Sequence, residues 1–364
     1  MTGKIRVMLV DDSAVVRGLM QRALGNDPEI EVVATAMDGQ MALDMLARRP
    51  ADIMILDVEM PGMDGITALP LLVKAAPQLK IIMSSTLTMR NAEISLKALS
   101  LGAADYLAKP TAKDPGEVEE FYRQMISKIH ALAPAEFRNN PPTPAPVASV
   151  SATRSVISPV PAPAVAVRQS TVPQPAAALA IASSTGGPQA LLEVFRQFKG
   201  VALRAPIFIT QHMPANFTTI LAQHISNASG HDCHEAKDGE DVKAGTIYLA
   251  PGDYHMTAAR EGSGVKLHLD KNPQENFCRP SADPMLRSLA KIYAGKLLVA
   301  VLTGLGADGA RGASEAVTAG GTVIAQDEST SVVYGMPKAV AEAKLTSAVL
   351  PLNQIGPYLV KAVS

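Results

Sequence analysis

The chain has 364 residues, a length for two or three domains that each bury a core. Hydrophobic residues are 47% and charged residues 18%, a globular balance, and 33 Lys+Arg against 34 Asp+Glu leave a net charge of −1. That balance excludes a global field drawing the protein to nucleic acid or into an anionic membrane surface.

Aromatics are only 4% and Trp is absent, which also counts against base-stacking platforms. Two cysteines, Cys233 and Cys278, cannot build a disulfide framework. They fit a reducing, cytoplasmic setting. No apolar run approaches the roughly 18 residues of a membrane span. The N-terminal run 5–10 is too short for a signal peptide and ends in Asp11-Asp12.

In chain order, residues 5–10, 30–34, 53–56, 80–83 and 105–108 read as strands. Segments with apolar residues at helical spacing lie between them, such as Val15, Leu19 and Ala23. Strand–helix alternation of this kind predicts an α/β, doubly wound parallel sheet. Residues 134–176 then hold 10 of the 27 prolines and only four charged residues. Such a Pro/Ala-rich stretch cannot build a core and reads as a linker. The same grammar returns beyond it. Strands are expected at 178–182, 206–210, 246–250, 297–302 and 322–325, a hairpin member at 265–269, and helices at 189–197 and 284–292. The reading is therefore two domains, 1–133 and 177–364, joined by the linker 134–176. By count they carry 14 basic to 17 acidic residues, 16 to 16, and 3 to 1 respectively, so no segment carries a basic stripe for a DNA-reading output.

In the first domain, Asp11 and Asp12 follow the first strand and Asp57 the third. Ligand crevices of doubly wound sheets form at these carboxyl ends. Three crowded carboxylates repel one another and favour a divalent cation, and Mg²⁺ accepts such oxygen ligands together with phosphate. Ser84-Ser85-Thr86 after the fourth strand and Lys109-Pro110 after the fifth add a hydroxyl and an ammonium on the same edge. A single Asp in such a place is most often a cap; the joint placement argues for a site.

These residues, with the block 57–65 (Asp-Val-Glu-Met-Pro-Gly-Met-Asp-Gly), make residues 1–130 resemble a two-component receiver domain. The resemblance implies that Asp57 accepts phosphate from a histidine kinase, that Asp11, Asp12 and Asp57 hold Mg²⁺, and that Lys109 contacts the phosphoryl group. It places Ser85 at the hydroxyl switch position, one residue from the alternatives Ser84 and Thr86, and Tyr106 at the aromatic one.

In the second domain, the strand at 178–182 runs into Ser183-Ser184-Thr185-Gly186-Gly187-Pro188. Glycines permit a sharp strand-to-helix turn, and Pro188 suits the first helical turn. A serine there lies beside N–H groups that stabilise an oxyanion. The same turn also serves as a phosphate cradle, although no Walker lysine or G-x-G-x-x-G accompanies it. His212 and Asp308 fall at the ends of two further predicted strands, so one sheet edge can gather Ser, His and Asp. Alone, His212 reads as structural and Asp308 as a turn residue.

Ser184-Thr185-Gly186-Gly187, Thr210–Pro214, Ala250–Asp253, Arg279-Pro280-Ser281, Leu302-Thr303-Gly304 with Gly306, Asp308-Gly309 and Gly335-Met336-Pro337 together resemble the CheB family of chemotaxis methylesterases. Receiver, linker and esterase are that family's architecture, with a Rossmann-like second domain. The resemblance implies Ser184 as nucleophile, His212 as base then acid, and Asp308 as its orienter. Thr185, Gly186 and Leu305 would line the oxyanion site. The reaction would be hydrolysis of glutamyl methyl esters on methylated chemoreceptors, with deamidation of glutamines, controlled by a chemotaxis-type histidine kinase and needing no cofactor for the ester chemistry.

Two departures stand out: Ala182-Ser183 replace the family's frequent Gly-Ala, and Leu305 stands where Met is frequent. By inspection Ser183 rivals Ser184, and adjacency to Thr185-Gly186-Gly187 selects Ser184. The competing reading is a response regulator whose second domain binds a partner or cleaves another ester. His231, Cys233 and His234 lack metal-site spacing and read as a charged surface loop. Cys278 has no histidine partner that sequence position discloses. Finally, a receiver in cis is expected to pack over the active-site edge and hinder substrate access.

Overall fold

A computed structural model describes residues 3–110, 115–134 and 175–364. The linker reading at 134–176 falls almost wholly outside the described residues. The first domain runs β1 (Ile5–Val10), α1 (Ala14–Gly25), β2 (Ile30–Ala36), α2 (Gly39–Leu46), β3 (Ile53–Asp57), α3 (Gly65–Ala75), β4 (Lys80–Ser85), α4 (Met89–Ser100), β5 (Asp105–Ala108) and α5 (Pro115–Leu132). Its strands pair in parallel in the order β2-β1-β3-β4-β5. The order reverses between β1 and β3, which opens a crevice at their carboxyl ends. Ser13, Asp38, Asp64 and Thr88 each accept a backbone N–H and start α1 to α4, so side-chain caps fix where each helix leaves the crevice.

The second domain contains β6 (Ala178–Ser183), α6 (Gly187–Arg196), β7 (Ile207–Gln211), α7 (Phe217–Ser229), β8 (Cys233–Glu235), β9 (Ile247–Leu249), β10 (His255–Glu261), β11 (Gly264–Asp270), α8 (Ala282–Tyr293), β12 (Leu297–Val301), α9 (Ala310–Thr318), β13 (Thr322–Gln326), α10 (Met336–Glu342), β14 (Ala348–Leu350) and α11 (Leu352–Val363). Seven strands form a parallel sheet in the order β14-β13-β12-β6-β7-β9-β8, and β10-β11 is a separate antiparallel hairpin. Leu179 and Ile181 of β6 pack with α6, α7 and α11 on one face, while Ala178, Ala180 and Ala182 meet α8 on the other. Helices thus cover both faces, and the sheet is doubly wound as expected. The chain leaves β6 towards one face and β12 towards the other, which places the crevice between those two strands.

Most predicted strands lie within a residue or two of their observed bounds. The segment read as a charged loop is instead the edge strand β8. Cys233 is buried there, and His234 pairs with Asp232 and Glu240 at the surface. Three residues flanked by charges carry too short a pattern to register as a strand. Among the described residues, no helix is long and apolar enough to cross a membrane.

Candidate active site and phosphoacceptor site

The turn after β6 is built around Gly186, whose φ of 76° starts α6 and whose missing Cβ leaves room for Val332. The two adjacent serines diverge. Ser183 is fully buried and donates its hydroxyl to Gln211 Oε1 at 2.7 Å, whereas Ser184 is half-buried with its Oγ outside that network. Gln211 Nε2 donates to the Ser184 carbonyl at 2.9 Å, and Ser184 N–H donates to Thr303 O at 3.0 Å, so the ends of β7 and β12 both fix this turn.

His212 follows β7, and its Nε2 lies 2.6 Å from Asp308 Oδ2. Asp308 is 1% exposed and receives hydrogen bonds from Ser281 Oγ at 2.6 Å, Asn276 Nδ2 at 2.7 Å and the N–H groups of Ala282, Asp283 and Gly309. Two of those N–H groups open α8, so the carboxylate also meets the positive end of a helix. Burial alone would raise the Asp308 carboxyl; His212, Ser281 and Ala282 overcome it and hold the group well below the usual carboxylate range. For His212, burial acts downward, and Cys278 and Asp308 raise the imidazole to about 10.

Sequence reasoning left Cys278 without a histidine; the structure places its Sγ 3.3 Å from His212 Nδ1, across 66 residues of chain. Sequence reasoning gives no sign of Asn276 or Asp283 either. Gln211, inside the 210–214 block, and Ser281, inside the Arg279-Pro280-Ser281 block, carry a signal without a stated role. His255 is buried, with Nδ1 accepting the Ser281 N–H and Nε2 facing Pro273 O, a role in holding the Asp308 support rather than in chemistry.

In the receiver crevice, Lys109 Nζ lies 2.7 Å from both Asp11 Oδ2 and Asp57 Oδ2. Burial raises the Asp57 carboxyl against the pull of Lys109. The carboxylates of Asp11, Asp12 and Asp57 offer oxygens within 4.8 Å of one another, with Asp12 exposed, and this all-oxygen set suits Mg²⁺. Ser85 points elsewhere, its Oγ 2.9 Å from Ser95 Oγ. The buried Ser84 Oγ beside Asp57 has no hydrogen-bond partner among the described residues, and Thr86 Oγ1 accepts from Asn91.

The two sites are joined by a domain interface. Thr185, next to Ser184, donates to Asp105 Oδ2 at 2.8 Å, and Lys128 also pairs with that carboxylate. Tyr106 stacks on Phe217 with ring centroids 4.7 Å apart. Gln189 donates to Leu99 O, and Asn216 Nδ2 to Leu87 O at 3.1 Å. Leu305, Val332 and Val333 join the receiver's apolar cluster around Phe121 and Met125. Leu305 thus turns its side chain to the receiver.

Residues 179–359 match the family model for the CheB methylesterase, and residues 7–117 match that for the response regulator receiver domain. A protein-glutamate methylesterase/protein-glutamine glutaminase of Azospirillum brasilense is 51% identical, covering 99% of this chain and 93% of its own. A relative of the same description from Paramagnetospirillum magneticum is 50% identical, covering 99% and 96%. The chain belongs to the CheB methylesterase family. The crystal structure of the Thermotoga maritima CheB methylesterase catalytic domain, 41% identical, covers 52% of this chain and 99% of its own with a TM-score of 0.50.

Proposed function

We propose that this CheB-family chain is a phosphorylation-activated protein-glutamate methylesterase and protein-glutamine glutaminase acting on chemoreceptors in the cytoplasm. The receiver is assigned to 1–133, the linker to 134–176 and the esterase to 177–364; α5 ends at Leu132, and Ala176 N–H is already bonded to Ala362 O. The observation that carries the reading is the His212–Asp308 pair at the same sheet edge as the half-buried Ser184.

Ser184 Oγ attacks the glutamyl ester carbonyl as His212 takes its proton. The oxyanion is held by backbone N–H groups of Thr185 and Gly186 at the start of α6, with the N–H of Leu305, in the loop after β12, as a further donor. The intermediate collapses, the C–O bond to the methyl group's oxygen breaks, and the imidazolium gives its proton to the leaving methoxide, releasing methanol. Water, deprotonated by His212, then cleaves the glutamyl–Ser184 ester to glutamate and free serine. With glutamine the leaving group is ammonia. Asp308, kept ionised by its donors, orients His212 and stabilises its charged form.

In the receiver, Asp57 accepts a phosphoryl group from a histidine kinase of the chemotaxis type. Asp11, Asp12 and Asp57 would hold Mg²⁺, which supplies charge neutralisation to the phosphoryl oxygens. Lys109 contacts the same oxygens, and Ser85 exchanges Ser95 for the phosphoryl group while Tyr106 follows. The contacts of Asp105, Tyr106 and Leu305 support a receiver that covers the serine turn until this happens.

Methanol release from methylated receptor membranes tests the proposal, using wild type and Ser184→Ala with and without acetyl phosphate and Mg²⁺. Release that rises with the phosphodonor and vanishes in Ser184→Ala is expected. Wild type that releases no methanol under any condition overturns it.

A further inference from the structure

Both ring nitrogens of His212 are taken, Nε2 by Asp308 Oδ2 at 2.6 Å and Nδ1 by Cys278 Sγ at 3.3 Å. A base in a triad needs one nitrogen for its orienter and the other for the nucleophile's hydroxyl. Asp308 fills the first role. Cys278 therefore occupies the place that Ser184 must take, and among the described residues no hydrogen bond joins Ser184 Oγ to His212.

Cys278 is presented by a segment with two unusual features. Asn276 and Phe277 have φ of 54° and 60°, a left-handed backbone that ordinary residues keep only when their surroundings hold them there. Asn276 is held by Asp283, Asp308 and Arg311. Phe277 is 70% exposed, yet its ring lies under the Arg123 guanidinium of α5, 4.8 Å from the centroid. The receiver thus touches the residue next to the thiol that holds the base, at a point separate from the contacts around Thr185 and Tyr106.

We propose that Cys278 is a positioning residue that withholds the catalytic base: while Arg123 of the receiver stacks on Phe277, Cys278 keeps the nitrogen of His212 that Ser184 requires, and release of that contact hands His212 to Ser184. The inference rests on the esterase reading and adds to it a control on the base itself, beyond steric cover. Its chemistry is simple. While Cys278 Sγ holds Nδ1 and Asp308 holds Nε2, His212 has no free nitrogen to accept a proton. The same two neighbours raise the His212 imidazole, and an imidazolium cannot accept the Ser184 proton.

The test uses the full-length chain as wild type, Cys278→Ala, Cys278→Ser and Phe277→Leu. Methanol release is measured from pH 6 to pH 10, without and then with acetyl phosphate and Mg²⁺. Without phosphodonor, Cys278→Ala is expected to raise the rate at neutral pH at least tenfold, with the roughly 10²- to 10⁴-fold contribution of a general base as the ceiling. Its acid limb moves down towards the ordinary imidazole range, where Cys278→Ser follows it. Phe277→Leu keeps the thiol, removes the ring under Arg123, and moves rate and profile in the same direction, which also covers the case of an unstable Cys278 variant. An unphosphorylated rate and profile unchanged in Cys278→Ala and Phe277→Leu, with phosphorylated protein active, overturns the inference alone. Activity lost in Cys278→Ala and kept in Cys278→Ser also overturns it, by making the thiol a proton relay. Phosphorylated wild type that releases no methanol overturns the esterase reading itself, a result that the other arms distinguish.

Discussion

At the residue scale, the Asp308 carboxylate has more hydrogen-bond donors than any single role needs. Ser281, Asn276 and three backbone N–H groups hold it besides His212. Asp308→Asn keeps the shape but removes the charge and presents an amide donor to His212, so the histidine takes the wrong tautomer. Turnover is expected to fall about 10³- to 10⁴-fold with little change in KM, read from steady-state kinetics. The same pair sets a pH dependence of stability. His212 is raised to about 10 in the folded chain from an ordinary value near 6.5. Its contribution is therefore complete below about pH 6.5 and is lost as pH rises through about 10. Urea midpoints should fall over that window in wild type and fall less in His212→Gln. An equal fall in both would assign the effect to other groups. Ser183→Ala separates the two serines: it removes the hydrogen bond to Gln211, costs about 1 kcal/mol in stability, and leaves the Ser184 hydroxyl in place.

At the element scale, the site depends on how closely α8 and α9 approach. Gly312 on α9 faces α8, and a Cβ there would lie 2.5 Å from Leu286 Cβ and 3.0 Å from Asp283 O. Gly312 N–H also donates to Asp283 Oδ1 at 2.7 Å. Gly312→Ala forces the helices apart, at a cost of about 1–3 kcal/mol from overpacking. Because the amino end of α8 grips Asp308 and α9 follows it, kcat should fall as well; a variant with wild-type kcat and a lowered thermal midpoint would uncouple packing from the site. The same scale explains what the sequence disclosed. β3, β6 and β12 are buried on both faces, as is β1 except at Arg6, and all four read as largely apolar runs, so Asp11, Asp57, Ser184 and Asp308 are placed at or just past strand ends by local pattern alone. β8 and β14 have three residues each at the sheet edges and left no such pattern. The Cys278–His212 pair and the donors around Asp308 come from segments brought together only by the tertiary fold. No spacing rule reaches across them, and the Arg279-Pro280-Ser281 block marked the region without saying what it held.

At the scale of the whole molecule, the residues expected to sense the phosphoryl group and those that touch the esterase lie on one receiver face. Tyr106 stacks on Phe217, Asp105 accepts from Thr185, and α4 packs against α6 and α7. The Tyr106–Phe217 stack is worth roughly 0.5–1.5 kcal/mol beyond its buried area, a small enough share for a local rearrangement to tip the docked state. Asp105 adds a second sensitive point, since Lys128 and Thr185 share one carboxylate oxygen across the boundary. Two consequences differ in kind. Tyr106→Ala removes the stack but keeps Asp57, so unphosphorylated activity should rise while the phosphodonor still adds to it. Residues 177–364 alone lose the whole receiver, so their activity should exceed that of the unphosphorylated full chain and ignore acetyl phosphate altogether. The counterpart domain of the Thermotoga maritima protein was solved as a separate chain, which makes the truncated protein a reasonable object to prepare. Methanol release from equal amounts of the three proteins decides the matter. If the truncated domain is no faster than the unphosphorylated full chain, the interface is a resting place rather than a restraint, and activation must come from the phosphorylated receiver acting directly on the site.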